Sequence, residues 1–155
     1  MTFYLLTLAH LLASIVWIGG MFFAHQCLRP AALATLEPPQ RLPLWNAVFD
    51  RFFPWVWGCV LLLLATGQAL TLQMGGMAAV PVQIHVMAGI GYLMAAIFFY
   101  LYFVPYAALK KGVAAQDWPA AGAALNRIRM LVGTNLVLGL LNVSIIFILP
   151  SLLKA

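Results

Sequence analysis

Residues 6–30 read LTLAHLLASIVWIGGMFFAHQCLRP, an apolar run long enough to cross a bilayer that still carries two of the chain's three histidines, His10 and His25. A run of about 20 apolar residues spans a membrane as a helix, because a segment in hydrocarbon must satisfy its own backbone groups. The pattern recurs along the chain: of 155 residues, 65% are hydrophobic and 7% charged, and the mean hydropathy is +1.03. Apolar stretches at 3–28, 52–72, 80–106 and 128–152 predict an all-α fold, an integral membrane four-helix bundle forming a single unit over residues 1–155. Little sequence is left for a soluble domain. The start, MTFYLLTLAH, lacks Lys and Arg and its apolar run is too long for a cleaved signal, so the first span is expected to be retained.

The first connector, LRPAALATLEPPQRLPLWNAVFDR, carries Arg29, Arg41 and Arg51, and its prolines predict an interfacial segment with at most a short surface helix. QMGGMAA reads as a tight turn without Lys or Arg. The third connector carries Lys110, Lys111, Arg127 and Arg129, and Asp117 with Pro119 can open a short amphipathic helix there. The positive-inside rule then places the first and third connectors in the cytoplasm and both termini on the outer, periplasmic side of the inner membrane, with only Lys154 against it. Topology thus accounts for the net charge of +5, so membrane lipid is the expected surrounding and nucleic acid is not an expected partner. Pro54 falls in the first turn of span two, where a missing N–H is tolerated. Trp45, Trp55, Trp57 and Trp118 fit a cytoplasmic aromatic belt. Cys27 and Cys59 sit on different spans with no C-x-x-C pairing and read as packing residues.

With that orientation, a rise of 1.5 Å per residue puts His10 on the order of 10 Å below the outer end of span one. His85, Thr66, Gln68, Asn142 and Ser144 approach the same level from the other spans. At about 100° per residue, His10, Ser14, Trp17 and Met21 form one stripe, and His85 shares another with Ala88, Gly89, Tyr92, Ala95 and Ala96. Small residues mark faces where membrane helices approach, so His85 is expected to point into the bundle, and such stripes on more than one helix also permit a homodimer. Asn135, Gly139 and Asn142 form a comparable stripe on span four.

Two imidazoles at one depth suit axial ligation of haem b, with His10 and His85 on the iron and Trp17, Gly89, Tyr92 and Asn142 lining the slot. Haem or a porphyrin is then the partner and a redox role follows, a membrane haem oxidoreductase being its enzymatic form. Alternatively Met74 and Met77 in the outer turn, with His85 and Met87, offer the thioether and imidazole donors that Cu(I) accepts, which defines a copper-handling protein. A third reading is a structural or assembly subunit whose polar layer only locks helices together. His25, near Arg29, reads as an interfacial histidine that snorkels to water. Asp50, Arg51, Arg127 and Arg129 read as an ion-paired rim. No nucleophile–base pair, phosphate loop or paired carboxylates occur, which disfavours hydrolysis and phosphoryl transfer.

The segment AHLLASIVWIGGMFFAHQCLRPAAL resembles the first span of proteins related to the membrane domain of copper-resistance protein D, and LNRIRMLVGTNLVLGLLNVSIIFI resembles that group's last span. A wider likeness runs to the four-helix bacterial protoporphyrinogen oxidases, on His10 followed by Trp17, Gly19 and Gly20, and on His85 near the start of span three. In that family a lysine follows the second histidine by two positions, where this chain has Met87. The copper-resistance likeness implies copper handling. The oxidase likeness implies haem b on the two histidines, and the missing lysine keeps its reaction from carrying over.

Overall fold

The computed structural model describes residues 1–152, and Lys154 lies outside the described residues. Four long helices, α1 (Thr2–Thr35), α2 (Pro38–Gln73), α3 (Val82–Ala114) and α4 (Trp118–Leu152), are each long and apolar enough to cross a membrane. The all-α four-helix bundle expected from the hydropathy pattern is therefore what forms. Helices α1 and α2 make one hairpin, α3 and α4 the other, and the hairpins pack through α1 on α4 and through α2 on α3 and α4. One end of the bundle carries the amino terminus and the 74–81 turn. The opposite end carries the 36–37 and 115–117 turns and most of the basic residues.

The connectors are much shorter than their prolines suggest. Helix α1 runs to Thr35, Leu36 is extended, and α2 starts at once with Pro38 in its first turn, where proline's missing N–H costs nothing. Pro54 is consequently deep inside α2, and Pro43 is inside it as well. Membrane helices tolerate such prolines because neighbouring groups compensate the freed carbonyl. Two other prolines do change the winding. Phe23–Leu28 and Tyr102–Tyr106 are wide, π-type turns inside otherwise regular helices, the first just ahead of Pro30 and the second containing Pro105. A proline cannot donate to the carbonyl four residues earlier and its ring crowds it, so a locally wider turn relieves both problems.

Asp117 opens a helix as expected, its carboxylate accepting from the Ala120 N–H at 3.0 Å, but that helix is α4 itself. The α3 end closes with Gln116 at φ 56° and the Asp117 N–H on the Gly112 carbonyl at 2.9 Å. The two helices meet so closely there that a Cβ on Gly112 would lie 2.8 Å from the Ala121 backbone nitrogen.

The core is aromatic. Phe49 and Phe53 stack at 4.9 Å, Tyr106 meets Phe53 edge-on at 4.7 Å, and Trp17 meets Phe98 at 6.3 Å. Buried Leu42, Trp45, Phe49, Phe53, Val56 and Val60 follow one face of the continuous α2 helix. That phase buries Trp45 and turns Trp57 into the Phe98 and Tyr102 rings, leaving Trp55 (69% exposed) as the outward anchor of the three. The aromatic belt read from sequence is mostly core.

Candidate functional site

At the turn end, His10 Nδ1 lies 2.8 Å from the Thr66 hydroxyl oxygen. That hydroxyl gives its hydrogen to the Leu62 carbonyl at 2.6 Å, so the imidazole is the donor, and in the neutral ring Nε2 then keeps its lone pair. Gly67 leaves room for the ring, since a Cβ there would sit 3.5 Å from His10 Cε1. In the stripe below His10, Trp17 and Met21 are buried, and Ser14 donates to the His10 carbonyl at 2.9 Å.

The α3 stripe is oriented differently from expectation. Ala95 enters the core, but His85 and Gly89 are exposed and Tyr92 is 48% exposed, its hydroxyl accepting from the Gln68 amide across to α2. The buried line of α3 is Met94, Ala95, Phe98 and Leu101. Two amides of α4 fix this rotation: Asn135 donates to the Met94 carbonyl at 3.1 Å and Asn142 to the Met87 carbonyl at 3.3 Å. His85 therefore stands at the rim, with Nδ1 3.4 Å from the Pro81 carbonyl one turn back. The two histidines are engaged on different neighbours, His10 on α2 and His85 on its own helix.

The same end of the bundle carries soft donors besides His85. Met74 closes α2 and Met77 follows within the turn, both 42% exposed, and between them Gly75 and Gly76 adopt φ of 100° and 87°. Such angles need glycine, so the tight turn that separates the two thioethers is written into this pair. Met87 is half-buried on α3. Among the described residues no three His, Cys, Asp or Glu side chains come together in a metal-holding group.

The opposite end holds a cavity of about 300 Å³ between α1, the start of α2 and the start of α4. His25 and Arg29 line it from α1, Arg41 and Trp45 from α2, Trp118 and Arg129 from α4. His25 does not reach bulk water through both nitrogens: its Nδ1 is buried and has no hydrogen-bond partner. The predicted ion-paired rim is also arranged differently. Asp50 takes Lys110 at 3.0 Å, the Tyr106 hydroxyl and the Asn46 amide, while Arg51 and Arg127 are exposed. The scarcity of acids, three in the whole chain, was the available sign that several arginines had to lack carboxylate partners.

Four apolar helices joined by short turns, with polar pairs bridging them inside, define a multi-pass protein of the inner membrane. The chain belongs to the copper resistance protein D family, whose sequence model matches residues 46–149, more than half of it. No curated protein and no solved structure matches the chain. The wider likeness to protoporphyrinogen oxidases finds no support in these comparisons.

Proposed function

We propose that the protein handles copper, taking Cu(I) as cargo at the rim formed by the 74–81 turn and the first turns of α3. The observation that carries this reading is where the family match falls. Residues 46–149 contain every soft donor of the rim, Met74, Met77, His85 and Met87, whereas His10, which a two-histidine haem site requires, lies outside them. The donor chemistry agrees, because thioethers and a neutral imidazole suit the soft Cu(I) ion and leave harder divalent ions weakly held. The Pro81 carbonyl beside His85 Nδ1 favours a proton there and leaves Nε2 to the metal, as carbonyl-backed histidine ligands commonly do. On the charge asymmetry of the connectors, the rim faces the periplasm, so copper would be met from outside.

The test is a Cu(I) competition titration of detergent-purified protein against a chromophoric chelator. Met74→Ala with Met77→Ala, and separately His85→Ala, should each weaken binding roughly tenfold or more, about 1.4 kcal/mol. Unchanged affinity in both variants overturns the rim as the site. An intense Soret band lost on His10→Ala would overturn the copper reading in favour of haem.

A further inference from the structure

We infer that the cavity at the basic end binds the phosphate headgroup of an anionic membrane lipid, held by Arg29, Arg41 and Arg129. These three arginines are half-buried, whereas Arg51, Lys110, Lys111 and Arg127 are exposed. A guanidinium is withdrawn from water only against a compensating partner, and here no carboxylate supplies one. No acidic side chain lines the cavity: Asp50 is taken by Lys110, Asp117 caps α4, and Glu37 is exposed with no ion pair among the described residues.

The hydrogen-bonding capacity is equally unspent. Arg41 uses one Nη1–H on the Leu36 carbonyl at 3.1 Å, and among the described residues Arg29 and Arg129 donate no side-chain bond. His25 adds a buried, unpartnered Nδ1 on the same wall. Three guanidinium forks offer more donors than the two coplanar oxygens of a carboxylate can accept, while a tetrahedral phosphate presents acceptors in several directions. The remaining wall explains why the phosphate should arrive on a lipid. Trp45, Phe49 and Ile128 make it apolar, and the cavity opens where the apolar spans give way to basic connectors, the depth at which headgroups lie.

Native mass spectrometry of the detergent-purified full chain tests the assignment, with dioleoylphosphatidylglycerol, dioleoylphosphatidylcholine and inorganic phosphate as probes. The wild type should retain phosphatidylglycerol roughly tenfold better than phosphatidylcholine. Arg29→Gln with Arg129→Gln should abolish that preference, and Arg51→Gln with Arg127→Gln should leave it intact. Should the first pair fail to fold, Asn126→Asp places a carboxylate on the cavity wall with every arginine kept, and it too should reduce retention. Equal retention of the two lipids by the wild type overturns the inference. So does preference surviving in both cavity variants, or inorganic phosphate displacing the lipid at equal concentration, which would assign the site to a soluble phosphate.

Discussion

The Thr66 hydroxyl stands between an acceptor and a donor, giving its hydrogen to the Leu62 carbonyl at 2.6 Å and receiving that of His10 Nδ1 at 2.8 Å. The imidazole tautomer on α1 is thus set by the winding of α2. Thr66→Val keeps the shape and removes the acceptor, leaving an N–H unpaired in an apolar environment. We expect a loss of about 1 kcal/mol, read from reversible unfolding in mixed micelles. A double-mutant cycle with His10→Leu should show coupling of about 0.5 kcal/mol or more, and strictly additive effects would refute the pair.

Gly112→Ala should destabilise the protein by about 1–3 kcal/mol, because the new methyl meets the Ala121 backbone and not a flexible side chain. Gly58→Ala is the matched control. It lies inside α2 with nothing within 4 Å of a Cβ, so helix propensity alone should make it neutral or stabilising by up to about 1 kcal/mol. A similar cost at both positions would show that close approach is not what Gly112 provides.

Asp50 has three partners of unequal weight. Its ion pair with Lys110 is open to solvent, with the two side chains 52% and 40% exposed, so Lys110→Ala should change stability by less than about 1 kcal/mol, and less still in high salt. Tyr106 is buried, so its hydroxyl cannot turn to water when the bond to Asp50 is lost. Tyr106→Phe should therefore cost more than Lys110→Ala, about 1 kcal/mol. The reverse order in chemical denaturation would contradict this account.

The proposed sidedness rests on the absence of Lys and Arg in the 74–81 turn. In a Cys27→Ala, Cys59→Ala background, Ala78→Cys is expected to react with an impermeant maleimide added outside spheroplasts. Reaction only after lysis would invert the orientation and move the methionine rim to the cytoplasm.

The four spans were legible because hydrocarbon accepts only long apolar helices, and that requirement is visible residue by residue. The His10 stripe was legible too, since Ser14 and Trp17 interrupt an aliphatic background at helical spacing. The rotation of α3 was not. A helix that is apolar on every side has no polar face to give its phase away, and the small-residue stripe through His85 competed with Met94 and Phe98 on equal terms. Asn135 and Asn142 on α4 decide between them, through bonds to α3 carbonyls that no periodicity encodes. The proline-rich connector misled for a related reason: Pro38 begins a helix, while Pro43 and Pro54 sit within it. The basic cavity needs the ends of α1, α2 and α4 to converge, and nothing along the single chain announces that Arg29, Arg41 and Arg129 will meet.

The wide turn at Phe23–Leu28 acts on α1 as a one-residue insertion would. Everything beyond it is set back by one residue relative to a regular helix, about 100° of rotation, which brings Arg29 onto the face that carries Trp17 and Met21. Deleting a single residue within that turn should restore regular winding and keep Arg29 on the cavity, whereas inserting a residue just beyond the turn should swing Arg29 off it by about 100°. The helix is an indexed shaft, and this one position can lose a residue without breaking up the basic cluster.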